Sequence, residues 1–201
     1  MPKMSIIIPH KPTPSNDKAL MLALRSIVEC TTHDYELIID TTVPGDPYTI
    51  WNRISHIASG DILVFSNSDV VFAHDWDRFM VDHCHHNRIV TGYMVEAGNI
   101  GVAPVNIARN FGKHPDTFDR ELFEAFVSKY PAPEVKEERA WYMPCAMDRM
   151  WFLSTGGFPT QPGFPEPNDI KFWNRCRDEY GTKFIRVRSY SYHFQAQSTR
   201  D

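Results

Sequence analysis

The chain has 201 residues, with 21 Lys and Arg against 25 Asp and Glu for a formal charge of -4. That length suits one domain with a core and a cleft, and the charge balance lacks the basic surplus of a nonspecific duplex binder, so no nucleic-acid partner is expected. Cys30, Cys84, Cys145 and Cys176 include no Cys-x-x-Cys pair, which leaves a zinc ribbon or redox motif unsupported and suits packing residues in a reducing compartment.

The apolar run over 4–8 is too short for a signal-peptide core or a bilayer span, so the chain reads as cytoplasmic, with peripheral membrane contact left open. Within that run, Ser-Ile-Ile-Ile at 5–8 reads as a first strand, stopped by Pro9. From Asn16 and Asp17, an N-cap candidate precedes Leu20, Leu24, Ile27 and Val28 at helical spacing, predicting a helix to about Cys30. Residues 35–39 predict a second strand, ending in Asp40. After the turn-rich 43–47, a helix over about 48–58 carries Ile50, Ile54 and Ile57 on one face and stops at Gly60. A third strand spans 62–65. This alternation is the pattern of βαβ units on a parallel sheet. Ligands of open α/β sheets bind at the carboxyl ends of the strands, so Pro9, His10, Lys11, Asp40 and residues 67–69 are expected to share one crevice.

The second half is less regular. Residues 75–86 predict a helix, 88–95 a strand, and 115–130 a helix with Phe118, Leu122, Phe123 and Phe126 on its apolar side. The charged stretch 134–139 is expected to be a mobile surface loop of the kind that covers active sites. Residues 147–153 resume as a strand; a helix over 168–180 and a strand over 183–187 close the chain, leaving His193 in the tail. His83, Cys84, His85 and His86 invite a zinc reading. Adjacent helical residues point in different directions, however, and no second ligand pair stands at a standard spacing, so a helix end, where cationic histidines are favourable, accounts for them.

The most informative stretch is 61–72, Asp-Ile-Leu-Val-Phe-Ser-Asn-Ser-Asp-Val-Val-Phe. A buried strand that delivers a carboxylate and an amide at its tip holds a hard divalent cation against a phosphorylated substrate in many enzymes, which makes Asp69 the pivot. Taken with Ser-Ile-Ile-Ile-Pro at 5–9, the run 53–65, Asn67-Ser68-Asp69, Thr155-Gly156-Gly157-Phe158, Glu166-Pro167-Asn168-Asp169-Ile170, and Arg175 before Tyr180-Gly181, the chain resembles a nucleotide-sugar-dependent glycosyltransferase of the GT-A fold. It is most similar to the inverting glycosyltransferase family 2. The resemblance covers most of the chain and implies a single α/β domain, a mainly parallel central sheet flanked by helices, with a nucleotide-binding half over about 1–95 and an acceptor-binding and catalytic half over about 96–201. Two departures stand out: Asn67 replaces the first acid of the Asp-x-Asp motif, and Asn168-Asp169 replaces a Glu-Asp pair.

The resemblance also implies a metal-dependent, inverting transfer from a nucleoside-diphosphate sugar to a hydroxyl acceptor, in polysaccharide or glycoconjugate synthesis. Asp69 and His193 would hold Mn2+ or Mg2+, with Asn67 as a neutral donor to metal or ribose. Pro9, His10, Asp40, Arg53, Asn67 and Ser68 would contact the nucleotide, although Asp40 reads equally as a turn cap, His10 as a solvated loop residue and Arg53 as a helix-surface arginine. Asp169 is the expected general base and Glu166 the second choice. Trp141, Tyr142, Phe164 and Trp173 are candidates for an acceptor platform. Two rivals stay open: a noncatalytic sugar-nucleotide or glycan-binding module, and a sugar-phosphate nucleotidyltransferase, whose Gly-rich basic first loop Pro9-His10-Lys11-Pro12 does not supply.

Overall fold

The computed structural model describes residues 3–42, 46–98, 106–138, 143–160 and 168–194. β1 (Met4–Pro9) leads into α1 (Pro14–Cys30). This helix is capped by Thr13 rather than Asn16: the Thr13 hydroxyl accepts from the Asn16 N–H at 3.2 Å, and Pro14 takes the first turn, where a missing donor goes unnoticed. After β2 (Tyr35–Asp40), α2 (Pro47–Ile57) uses the same device, with Asp46 accepting from Tyr48 N at 3.1 Å ahead of Pro47. β3 (Ile62–Phe65), β4 (Val70–Phe72), α3 (Trp76–His83), β5 (Arg88–Glu96) and β6 (Ile107–Ala108) follow.

The expected helix over 115–130 is a 3-10 turn, Pro115–Thr117, and then α4 (Arg120–Val127), because Asp119 restarts the chain by accepting from Leu122 N at 2.9 Å. Phe123 is buried, but Leu122 is 55% exposed rather than part of the apolar side. β7 (Val135–Glu137) replaces the expected loop: it pairs antiparallel with the last strand, and its charges are those of an exposed edge strand. The strand expected over 147–153 divides into β8 (Cys145–Asp148) and α5 (Arg149–Ser154), where Asp148 caps the helix through Trp151 N at 2.7 Å. The short apolar run 150–153 reads either way by its pattern alone. α6 (Asn168–Tyr180) and β9 (Lys183–His193) complete the described elements; β9 runs on past Val187, so His193 ends a strand rather than lying in a tail.

Among the described residues the strands form one nine-stranded sheet, ordered β2-β1-β3-β8-β5-β9-β4, with β6 on β5 and β7 on β9. β2, β1 and β3 are parallel, as are β5 and β9, while β8 runs antiparallel between β3 and β5. β1, β2, β3, β5 and β9 therefore all direct their carboxyl ends to one edge of the sheet. β4 starts at that edge and runs back along β9, with Val70 opposite His193.

Side-chain alternation sorts the strands into two cores. Ile7, Leu63 and Phe65 face α2, α5 and α6, meeting Trp51, Phe152, Phe158 and Phe172. Met4, Ile6, Ile8, Ile62 and Val64 face α1 and α3, meeting Ile27, Trp76 and Met80. A third cluster, with Phe111, Phe123, Tyr190, Tyr192 and Phe194, fills the space under α4. Burying each such aromatic or aliphatic side chain is worth roughly 1.5–3 kcal/mol, so these clusters fix the strand order against slippage.

Candidate active site

The tips of β1, β2 and β3 lie side by side. Pro9 is in register with Asp40, His10 N donates to Asp40 O at 2.8 Å, and Ser66 N donates to Ile7 O at 3.1 Å, which carries Asn67, Ser68 and Asp69 past the end of β1. These backbone contacts set Pro9, His10, Asp40 and residues 67–69 close together at the carboxyl edge of the sheet.

Asp69 is buried at 1% side-chain exposure, at the start of β4, and its carbonyl accepts from Phe194 N at 3.2 Å. Its Oδ2 lies 3.5 Å from Nε2 of His193, and Nδ1 of the same ring lies 3.3 Å from Oε1 of Glu96, at the end of β5. The register explains the cluster: β9 lies between β4 and β5, pairing His193 with Val70 on one side and with Glu96 on the other. Burial by itself lowers the pKa of His193, but the Asp69 and Glu96 carboxylates outweigh it and raise the value to about 9.

Glu96 was absent from the sequence-level candidates. The available signal was an acid one residue beyond a predicted strand, on the edge where ligands of such sheets bind.

The donor set fits a hard divalent cation. Asp69 offers a carboxylate oxygen and His193 an imidazole nitrogen on the same side, while Glu96 sits behind the ring, in the carboxylate–histidine arrangement that fixes the tautomer of a metal-binding imidazole. Two protein ligands suit Mn2+ or Mg2+, which complete their shells with water and substrate phosphate. Asn67 is partly exposed and Ser68 buried in the same turn.

The nucleotide candidates form a second group. Asp40 Oδ1 accepts from Thr42 N at 2.8 Å and Thr42 Oγ1 at 2.7 Å, and Oδ2 accepts from Arg53, whose guanidinium also reaches Thr42 Oγ1 at 3.0 Å. Burial opposes the charge of Asp40, but these donors prevail and hold its pKa below the usual carboxylate value. Arg53, on α2, is thus tied to the tip of β2 and not simply solvated. His10 is buried rather than a solvated loop residue; its Nε2 lies 2.8 Å from Asp17 Oδ1, while Nδ1 has no hydrogen-bond partner among the described residues. With Nε2–H donating to Asp17, Nδ1 presents an acceptor.

Asp169 stands in a third group, in the first turn of α6. Burial, and then the negative charge of the Asp169 carboxylate, push the Tyr48 phenol up. Tyr48 in turn packs on Trp51 and Phe158, both at 5.5 Å between ring centroids. Asn52 locks the Gly156-Gly157-Phe158 turn to α2: its Nδ2 donates to Phe158 O at 2.7 Å and its Oδ1 accepts from Phe158 N at 2.8 Å. Gly157 has φ of 72°, and a Cβ there would meet Asn52 Oδ1 at 2.5 Å, so only glycine fits. Arg175 donates to Gly157 O from α6. Trp173, expected in an acceptor platform, is instead buried against Phe158 and Phe172. Glu166, Trp141, Tyr142 and Phe164 lie outside the described residues.

No family model matches the sequence, and no curated protein matches it. Solved structures do. GalNAc-T7, determined with UDP, GalNAc and Mn2+, superposes with a TM-score of 0.66 at 11% identity, over 96% of this chain and 44% of that one. S. aureus TarS 1-349 superposes with a TM-score of 0.61 at 13% identity, over 95% of this chain and 60% of that one. The chain has the GT-A fold. This GT-A domain spans less than two thirds of either neighbour, and at such identities the likeness is one of fold. No described helix of the domain is long and apolar enough to cross a membrane.

Proposed function

We propose that this GT-A domain is a metal-dependent, inverting glycosyltransferase of the family 2 type, moving a sugar from a nucleoside-diphosphate donor to a hydroxyl of a carbohydrate or glycoconjugate acceptor. The observation that carries this reading is the Asp69–His193–Glu96 cluster at the carboxyl edge of the sheet. A neighbour of the same fold was determined with UDP and Mn2+, which supports a nucleotide-sugar donor and a divalent cation here.

Asp69 and His193 would hold the cation, which when bound supplies positive charge to a departing diphosphate. Glu96 orients the imidazole. Asp40, held ionised by Thr42 and Arg53, offers acceptors to a nucleobase or ribose beside the tip of β1, and His10 Nδ1 offers another. Arg53 keeps the Asp40 carboxylate aimed. Asp169 takes the proton of the attacking acceptor hydroxyl, with the Tyr48 phenol in its electrostatic neighbourhood.

The test is release of nucleoside diphosphate from a panel of UDP-, GDP- and dTDP-sugars, with and without Mn2+, for the wild type and Asp69→Ala. Metal-dependent release that disappears in the variant supports the reading. Metal-dependent binding without release from any donor, in the presence of glycan acceptors, would favour a binding module.

A further inference from the structure

A second group of ligand-type side chains lies at the opposite end of α1 from the strand tips. Cys30 is the last residue of α1, His74 follows β4, and Glu124 belongs to α4; one donor atom from each lies within 4.8 Å of the others. Backbone bonds hold the three elements in this arrangement. Asp75 N donates to Cys30 O at 3.2 Å, and His74 N donates to the two carboxylate oxygens of Glu124 at 3.3 and 3.4 Å. Cys30 is buried, Glu124 is half-buried and His74 is exposed, so the group opens to solvent on the imidazole side.

A cation already occupies the neighbourhood. The Arg120 guanidinium places Nη2 2.7 Å from Cys30 Sγ and 3.9 Å from Glu124 Oε1, with Nη1 3.1 Å from Glu29 Oε2. The local field therefore favours positive charge, and Glu29 gives the guanidinium a partner to retain if it leaves the sulfur.

We propose that Cys30, His74 and Glu124 form a zinc-binding site, separate from the Asp69 cluster, that pins the end of α1, the β4–α3 turn and α4 together. One thiolate, one imidazole and one carboxylate, with water in the fourth position, make a tetrahedral set that suits Zn2+; the sulfur selects against Mg2+ and Mn2+. On binding, the Cys30 S–H bond breaks, the proton passes to solvent, and a sulfur–zinc bond forms, while the Arg120 guanidinium moves off the sulfur toward Glu29. The site differs from the histidine cluster at 83–86, which the structure places at the end of α3 and the turn after it.

The experiment is a titration of the full chain with Co2+ as a spectroscopic probe, followed by displacement with Zn2+. One equivalent should give a thiolate-to-cobalt charge-transfer band and tetrahedral d–d bands, bleached by Zn2+. Asp69→Ala should leave these bands intact, which separates this site from the catalytic reading. Cys30→Ser should abolish the charge-transfer band, and Arg120→Met, which removes the competing cation, should tighten binding. If Cys30→Ser fails to fold, Glu124→Gln, on the half-buried face of α4, should weaken Co2+ binding at least tenfold with unchanged circular dichroism. Absence of a thiolate band in the wild type, its persistence in Cys30→Ser, or unchanged affinity in Glu124→Gln would overturn the proposal.

Discussion

His193 Nε2 lies 3.5 Å from the buried Asp69 carboxylate, although the two residues are far apart in the sequence. The contact exists because β9 runs beside β4 with His193 opposite Val70, and it brings Glu96 in on the far side of the ring. A metal site spread over three adjacent strands depends on strand order, and its outermost member is the one most open to test.

Glu96 is a positioning residue in this account. Glu96→Gln keeps the shape but weakens the orienting acceptor behind the imidazole, and removal of such an outer partner typically costs about 10–100-fold in metal affinity or activity. The expected result is a higher Mn2+ concentration for half-maximal nucleoside diphosphate release, with activity partly restored at saturating metal. A kcat loss that saturating Mn2+ leaves untouched would place Glu96 in another role.

Asp169→Asn should lower turnover by about 10²–10⁴-fold, the usual contribution of a general base, while donor affinity stays within a few-fold of the wild type. Tyr48→Phe keeps the packing on Trp51 and Phe158 but removes the polar hydroxyl that is electrostatically coupled to Asp169. It should lower kcat less than Asp169→Asn does. Donor affinity and turnover falling together in Asp169→Asn, measured by nucleotide-sugar binding and initial rates, would contradict the assignment.

Much of this was legible in the sequence. The first strand–helix units followed from apolar runs broken by proline and glycine, and residues 62–65 and 168–180 lay where their patterns put them. Asp69 and His193 came from motif position, but nothing local in the chain shows that Glu96 meets His193, because that contact is created by β5 pairing with a strand far away in sequence. Residues 147–153 divide differently because the apolar run 150–153 is too short for its pattern to separate strand from helix, and the turn into helix depends on the single cap Asp148. Within 134–139, residues 135–137 form a strand rather than a loop, because charge marks both loops and edge strands, while residue 139 lies outside the described residues.

The Asn52 amide supports the Gly156-Gly157-Phe158 turn with two bonds to the Phe158 backbone. Asn52→Ala leaves that N–H and C=O without these partners, at a cost of about 1–3 kcal/mol for each group that stays dry. Urea unfolding should show a lower midpoint with an unchanged slope. An unaltered midpoint would mean that water replaces the amide at no cost.

Glu36 links stability to pH. Desolvation opposes its charge, but Ser5 Oγ, Ser59 N and Gly60 N all donate to the carboxylate and lower its pKa below the ordinary value. A depressed pKa in the folded state gives stability that is present above the unfolded value, about 4.3, and is lost as pH falls through the lower folded value. Glu36→Gln should therefore be less stable than the wild type near neutrality and converge on it as the pH falls below the ordinary carboxylate range. Urea midpoints across that range decide it; a constant gap would show that the network is indifferent to ionisation.

The central claim is that Asp69 and His193 hold the cation that accompanies a nucleoside diphosphate. It is tested most directly by titrating Mn2+ into the Cys30→Ser chain, with and without UDP or GDP, and following the free ion by electron paramagnetic resonance. The account predicts one Mn2+ bound, tighter with the diphosphate than without it, and lost in Asp69→Ala and in His193→Ala. Mn2+ binding of equal strength in either variant would place the metal elsewhere and contradict the account.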